Sequence, residues 1–181
     1  MINIENAQKI DGWMYDNELK FLAECAFQSK VIIEIGCYKG RSTRAMADNT
    51  DGIIYAIDAW KSPYYNNDGS VQEGIDYNVF PEFCKNLSPY IAENKVRPIM
   101  CYSKEVYWLS KGIADFVFID GDHRYEFVSN DIQLAKNWIK SNGIIAGHDY
   151  FWPSWPGVKK AVDENFPINV NFVEQIWWVN V

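Results

Sequence analysis

The stretch Val31-Ile32-Ile33-Glu34-Ile35-Gly36-Cys37-Tyr38-Lys39-Gly40-Arg41-Ser42-Thr43 decides the fold. A short β-branched run stopped by a glycine reads as a buried strand. The next glycine comes four residues on, and a helix from Arg41 to about Asp48 follows. Strand, tight turn and helix together make the first half of a βαβ unit. Ile53-Ile54-Tyr55-Ala56-Ile57-Asp58 then supplies the second strand.

The alternation extends in both directions. Upstream, Asp16 reads as the N-cap of a helix running to about Ser29, with Leu19, Leu22 and Ala26 on one face. This N-terminal helix occupies the 1–30 region. Downstream, residues 61–74 carry turn chemistry without a period and read as a loop, a candidate lid. A helix over roughly 75–93 is expected to break near Pro81 and Pro89. Val96 to Tyr102 is a strand, and Pro98 suits an edge because it cannot donate to the ladder. A short helix over Ser103–Lys111 and a strand over Ala114–Asp120 come next. Tyr125, Val128, Ile132, Ala135 and Ile139 form an apolar helical stripe, with Asn142-Gly143 as its stop. Ile144–His148 is a strand, Val158–Phe166 a helix ended by Pro167, and 168–172 with 175–179 a terminal hairpin. The pattern predicts an α/β fold: a doubly wound, mostly parallel sheet with an antiparallel hairpin at one edge.

The chain has 181 residues, which fits one domain spanning 1–181. Lys and Arg number 17 against 24 Asp and Glu, a net charge of -7 with no basic run, which argues against nucleic-acid binding. No apolar run reaches the roughly 18 residues of a membrane span. The N-terminal residues lack the pattern of a signal peptide, so a cytoplasmic protein is expected. Cys25, Cys37, Cys84 and Cys101 form no CxxC pair and read as free thiols.

In doubly wound sheets ligands bind beyond the carboxyl ends of the strands. Those ends carry Glu34-Ile35-Gly36, Asp58-Ala59-Trp60, Cys101-Tyr102-Ser103, Asp120-Gly121-Asp122-His123 and Gly147-His148-Asp149-Tyr150. All but one hold a carboxylate, which folding does not require. In the first turn, Tyr38 stands where a dinucleotide fingerprint needs its second glycine, and Glu34 lies two residues before Gly36. A diphosphate would meet a ring and a negative charge. A cationic ligand without phosphates, such as S-adenosylmethionine, would not. Asp58 is placed to accept hydrogen bonds from ribose hydroxyls.

Asp120, Asp122, His123, His148 and Asp149 gather both histidines of the chain among three acids. This mixture suits a divalent cation, Mg or Mn. The plainer alternative is that Asp122 and His123 cap the following helix. Tyr64, Tyr65, Tyr150, Phe151, Trp152 and Trp155 lie in loops above the strand ends, where rings can stack on a substrate or pack as a lid. Trp13 is a candidate for the pocket floor. Trp177 and Trp178 read as core or dimer contacts.

Together VIIEIGCYKGRST, IYAIDAW, ADFVFIDGDHRYE and GIIAGHDYFWPSWPGVKKAVDENF resemble class I S-adenosylmethionine-dependent methyltransferases. The nearest group contains the small sugar and macrolide O-methyltransferases and cephalosporin-tailoring-type proteins. The resemblance runs from about residue 11 to 166. It implies a seven-stranded Rossmann-like sheet with helices on both faces. It places Glu34, Gly36, Gly40, Ser42 and Thr43 around the methionine end of the cofactor, Asp58 on the ribose and Ser103 near the adenine. Ala59, Trp60 and Asp120 complete the expected cofactor set. In metal-dependent relatives the positions matching Asp120, His148 and Asp149 hold the ion, and the one matching Asp122 is a candidate base. Those relatives often carry a second acid where this chain has His148.

The expected activity is therefore O-methylation of a small-molecule or sugar hydroxyl, with Asp122 or His123 as base and a Mg or Mn ion in support. Tyr150, Trp152 and Trp155 are the expected acceptor contacts. The 61–74 loop and the 150–156 turn are the expected lid, and a homodimer could complete the pocket. Two other readings compete: a metal-dependent hydroxylase or hydrolase using the Asp/His cluster, and a cofactor-binding subunit without turnover.

Overall fold

The apolar runs pair into one sheet, described in a computed structural model covering residues 1–60, the backbone of 64–65 and 71–72, and residues 78–181. Among the described residues its strands are β1 (Val31–Ile35), β2 (Ile53–Asp58), β3 (Val96–Met100), β4 (Ala114–Ile119), β5 (Ile139–Gly147), β6 (Asn171–Val173) and β7 (Ile176–Asn180). Their spatial order is β3-β2-β1-β4-β5-β7-β6. The first five run parallel, with Ile32 beside Ile54 and Phe116. β7 joins β5 antiparallel and pairs with β6 as the expected hairpin. The order reverses between β1 and β4, which puts a topological switch point above Gly36 and Asp120.

Side-chain alternation explains why both faces are covered. Ile32, Ile54, Phe116 and Phe118 pack on one face with α2 (Asp16–Phe27), α3 (Arg41–Ala47) and α4 (Phe80–Ala92). Ile33, Ile35, Val117, Ile119 and Ile145 pack on the other with α5 (Tyr125–Trp138) and α6 (Pro156–Asn165). A strand buried on both faces must be apolar at nearly every position, and these strands are.

Several boundaries differ from the sequence reading. A short helix, α1 (Glu5–Gln8), precedes α2, so the 1–30 region holds two helices. Asp16 is not the N-cap of α2. That position is Tyr15, whose N–H donates to Glu18 Oε2 at 2.7 Å. Pro81 does not break α4, because a proline in the first turn has no helical N–H bond to lose. Pro89 is carried within the helix. Ser103–Glu105 is a single 3₁₀ turn and not a helix to Lys111.

The largest shift is at α5. It ends at Trp138, and Ile139 opens β5 although it continues the apolar stripe. Asn142-Gly143 is not a helix stop: the Asn142 N–H donates to Val181 O at 2.6 Å and Val181 N–H to Gly143 O at 3.0 Å. Pro98 does lie on an edge strand, as β3 pairs with β2 alone. Of the 61–74 loop, Tyr64–Tyr65 and Val71–Gln72 form a two-residue antiparallel pair. The rest of it lies outside the described residues, so its role as a lid is untouched by the structure.

Candidate active site

Two glycines fix the turn after β1. At Gly36, with φ +83°, a Cβ would stand 2.0 Å from the Asp120 carbonyl oxygen. At Gly40, with φ +88°, it would stand 2.3 Å from Leu87 Cδ2. Neither position admits a side chain. Gly36 therefore lets β1 and β4 end side by side, and Gly40 lets α3 pack closely on α4.

Beneath this turn Glu34 is fully buried. Its two carboxylate oxygens accept the hydroxyls of Ser42 and Thr43 at the start of α3. Burial pushes its pKa up to about 7, against the hydrogen bonds from Ser42, Thr43 and Cys37. Glu34, Gly40 and Thr43 thus lie under the cavity, whereas Gly36 and Ser42 of the same expected group line it. They brace the turn from below.

Asp58 ends β2 and ties the turns together. Its Oδ2 accepts the N–H groups of Cys37 at 2.8 Å and Tyr38 at 2.9 Å, and its Oδ1 accepts that of Trp60 at 2.7 Å. A carboxylate has about four acceptor sites, so it retains capacity for a ligand hydroxyl. The Trp60 indole N–H donates to Tyr38 O at 2.9 Å, and its ring packs on Phe80 and Phe83.

Above these strand ends lies a cavity of about 1080 Å³. Its wall includes Gly36, Asp58, Ala59, Trp60, Ser103 and Asp120 from the expected cofactor set. Its other half holds His123, His148, Asp149, Trp152 and Trp155. Tyr150 is not among them. Its hydroxyl donates to Asp163 at 2.6 Å, Lys159 Nζ donates to it at 2.9 Å, and its ring packs on Phe151 and Phe172. Trp13 is on the rim rather than the floor, 69% exposed and set against the Tyr38 ring.

The Asp/His cluster forms a chain of alternating carboxylates and imidazoles. His123 Nε2 stands 2.8 Å from Asp149 Oδ2. Asp149 Oδ1 stands 3.3 Å from His148 Nδ1, and His148 Nε2 stands 3.2 Å from Glu18 Oε1. Glu18 is held in turn by the backbone N–H groups of Tyr15 and Gln175. Asp149 takes a left-handed φ of 63°, which Asp tolerates and which aims its carboxylate between the two rings. Burial opposes charge on His123, but Asp120 and Asp149 lift its pKa to about 9. Burial likewise opposes charge on His148, and Asp120, Asp149 and Glu18 lift it to about 11. Asp149, despite burial, is held well below the usual carboxylate range by His123 and His148.

Two expectations change here. The side chains whose ligand atoms converge, all within 4.8 Å of one another, are Asp120, His123 and Asp149. His148, expected as the third ligand, has each nitrogen on a carboxylate. Asp122, expected as a base, is bound by Arg124: Nε at 3.0 and 3.1 Å and Nη2 at 2.6 Å. Both oxygens of that carboxylate are engaged by the guanidinium. His123 is free of that clamp and stacks on Trp155 at 4.7 Å.

The sequence reading missed Glu18, Arg41 and Gln175. Glu18 could have been found: it lies four and seven residues before Leu22 and Cys25, on the buried stripe of α2, where an acid needs a partner. Arg41 grips the N-terminal segment through the carbonyls of Gln8, Ile10 and Met14, fixing the rim that carries Trp13 and Tyr15.

The fold, with a cavity above the carboxyl edge of the sheet, is the Rossmann-like fold of class I methyltransferases. The chain belongs to the family described as methyltransferase domain, which matches residues 33–150. The O-methyltransferase of Bacillus cereus solved with S-adenosylhomocysteine superposes with a TM-score of 0.69 at 15% identity, covering 97% of this chain and 87% of that one. The O-methyltransferase TomG of Streptomyces achromogenes, solved with S-adenosylmethionine, gives 0.66 at 13% identity, covering 96% and 87%. An uncharacterized protein of Acanthamoeba polyphaga mimivirus is 28% identical over 134 residues, 73% of this chain. The chain spans 57% of that relative's length. No helix among the described residues is long and apolar enough to cross a membrane.

Proposed function

We propose that the chain is an S-adenosylmethionine-dependent O-methyltransferase acting on a small-molecule hydroxyl, with a saccharide as the favoured acceptor. One observation carries this reading: a single cavity joins the Gly36–Asp58 turns to the His123–Asp149 pair. The first half suits a cofactor with a ribose diol and no phosphate. The second suits removal of a hydroxyl proton.

In this reading Asp58 receives the ribose hydroxyls and Ser103 lies beside the adenine. In its neutral form His123 takes the acceptor proton as the oxygen attacks the methyl carbon; with its pKa lifted to about 9 by Asp120 and Asp149, that form is the minor one at neutral pH and turnover is expected to rise as pH rises through about 9. The sulfonium leaves as a neutral thioether. Asp149 orients the His123 ring and stabilises the imidazolium that forms. Holding the two reactants in line and away from water supplies most of the acceleration. The Trp152 and Trp155 rings, with the Trp13 rim, offer flat faces to a sugar or phenol ring.

A second reading rests on the convergence of Asp120, His123 and Asp149. Two carboxylates and an imidazole fit a divalent ion, Mn more readily than Mg. When bound, such an ion would lower the pKa of the acceptor hydroxyl. His123 cannot be both ligand and base, so the two readings exclude each other at that residue. A homodimer and a cytoplasmic location remain part of the proposal.

Calorimetric titration with S-adenosylmethionine and S-adenosylhomocysteine, with and without Mg or Mn, is the test. Micromolar binding is expected, and methyl transfer to a saccharide and phenol panel should follow. Absence of binding under every condition would overturn the methyltransferase reading in favour of other Asp/His chemistry. Binding without transfer to any acceptor would favour a cofactor-holding subunit. Turnover that is abolished by chelation and restored by Mn would favour the metal reading.

A further inference from the structure

Trp13 is 69% exposed at the mouth of the cavity, yet its segment is firmly held. The Arg41 guanidinium binds carbonyls on both sides of it. Its Nη1 donates to Gln8 O at 3.1 Å and Ile10 O at 2.7 Å, and its Nη2 to Met14 O at 3.0 Å. At Gly12 an added Cβ would stand 3.0 Å from Arg41 Cδ, so the backbone runs directly along that stem. Ile10 and Met14 are buried, and Lys39 Nζ pairs with Asp11 at 3.0 Å. The Trp13 ring rests on Tyr38, with centroids 5.1 Å apart. Folding accounts for the buried neighbours but not for a braced tryptophan left in water. A fixed flat face suits a stacking ligand, because its ordering cost is met before the ligand arrives. Trp13 is not the ring at the base: Trp155 stacks on His123, whereas Trp13 stands over the turn after β1. Glu18 meets both the Tyr15 N–H and His148 Nε2, so the two aromatic surfaces share one anchor. Gln175 is held on Glu18 through its own N–H and lines the same cavity. Its Oε1 accepts the Phe151 N–H at 3.1 Å, and among the described residues no acceptor takes its side-chain N–H groups.

We infer that the acceptor is an oligosaccharide of at least two units, in which the unit next to the methylated one stacks on Trp13 and accepts a hydrogen bond from the Gln175 side-chain amide. This deepens the proposed methyl transfer to a saccharide and rests on it. A pyranose has an apolar C–H face and a rim of hydroxyls, so it needs a flat apolar surface with a polar group beside it. Trp13 and Gln175 supply the two. The cavity holds about 1080 Å³, against about 300–1,000 Å³ for a site taking one ligand. It has to take cofactor and acceptor together, so a second sugar ring falls at the mouth, where Trp13 stands. Trp13 is a specificity residue here and takes no part in the methyl transfer.

The experiment measures kcat and KM for methyl transfer to glucose, galactose, mannose, N-acetylglucosamine, rhamnose and fucose. Each is supplied as the free sugar, as the non-reducing unit of a disaccharide and as its nitrophenyl glycoside. For the sugar that is methylated, wild type should prefer the disaccharide by about tenfold in kcat/KM, mainly through KM, the span of one stacking contact and one hydrogen bond. Trp13→Ala should cut that preference to less than about threefold, and Trp13→Phe, which keeps a ring, should retain most of it. Equal kcat/KM for free sugar and disaccharide overturns the assignment, as does a W13A that keeps the preference. If either variant does not melt cooperatively, wild type alone decides. A nitrophenyl glycoside preferred over the disaccharide would put an aromatic aglycone on Trp13 and also overturn it. So would transfer to none of these sugars by a protein that binds S-adenosylhomocysteine. Failure of S-adenosylhomocysteine itself to bind would remove the methyltransferase reading, a result distinct from all of these.

Discussion

The two halves of the cavity are built on different principles. Under the cofactor half, polar groups brace the turns at the ends of neighbouring strands. Glu34 takes the hydroxyls of Ser42 and Thr43, eight and nine residues away, and Asp58 takes three backbone N–H groups. In the other half charges face one another across the fold. His148 reaches Glu18 over a separation of 130 residues, and no single element contains the cluster. The first half is a scaffold whose conformation the backbone fixes. The second is an assembly in which each side chain is oriented by the next. A change in the scaffold should therefore register as stability, and a change in the assembly as turnover.

The sharpest way to break this contrast is His123→Ala. Loss of a general base costs about 10²- to 10⁴-fold in rate. Turnover is expected to fall by that factor while S-adenosylhomocysteine affinity stays within about threefold; calorimetry and a radiolabelled methyl assay read the two separately. Equal loss of both would make His123 part of the scaffold. Gly36→Ala comes next. Left-handed strain and the clash with Asp120 O together should cost about 4 kcal/mol, read as a lowered denaturant midpoint. Wild-type stability would show that the turn is more pliant than its packing indicates.

Glu34→Gln tests the scaffold through pH. The Glu34 pKa of about 7 lies above its ordinary 4.5, so the unfolded chain ionises first. Stability associated with its protonated form is fully present below about pH 4.5 and is lost as pH rises through 7. The shift corresponds to about 3 kcal/mol. Denaturation curves between pH 4 and 8 should show wild type losing that amount relative to the glutamine variant, whose side chain can still meet both hydroxyls. Parallel curves would mean that Glu34 ionises as freely folded as unfolded. The smallest effect is expected from Glu18→Gln, which weakens the anchor of His148. Turnover should fall about threefold with cofactor affinity unchanged, since the hydrogen bond survives without its charge. A change in cofactor affinity would join the two halves that the geometry separates.

The same division explains what was legible in the sequence. The strands themselves, the covering of both faces and the edge position of β3 follow from local signals, namely β-branched runs, their glycine stops and Pro98, whereas the strand order is a long-range fact. Ile139 misled because its spacing continues a helical stripe, while its pairing with Ala114 is a long-range fact. Pro89 misled because its cost is averaged against the packing of a helix that buries Phe83 and Leu87. At the site, residue types and strand ends were readable, but side-chain direction was not. Spacing offers Asp122 and His123 equally as bases, and only the Arg124 clamp separates them. Spacing likewise offers His148 as a ligand, but it does not show that its Nε2 is turned to Glu18. Tyr150 follows Asp149 in sequence yet turns to Asp163 and Lys159.

The Glu18 anchor has a consequence for the order in which the molecule matures. Its Oε1 also accepts the Gln175 N–H across 157 residues, so it joins the second helix to the last hairpin. Long-range contacts of this kind form late, after the loops between them have closed. During synthesis from the N-terminus, β1, β2 and the Gly36 turn are available long before β7. A nascent chain arrested short of β7 can shape the floor beneath the cofactor, but it leaves Glu18 and His148 without their final bracket. The bracket that holds Glu18 and His148 is therefore completed only when β7 is in place.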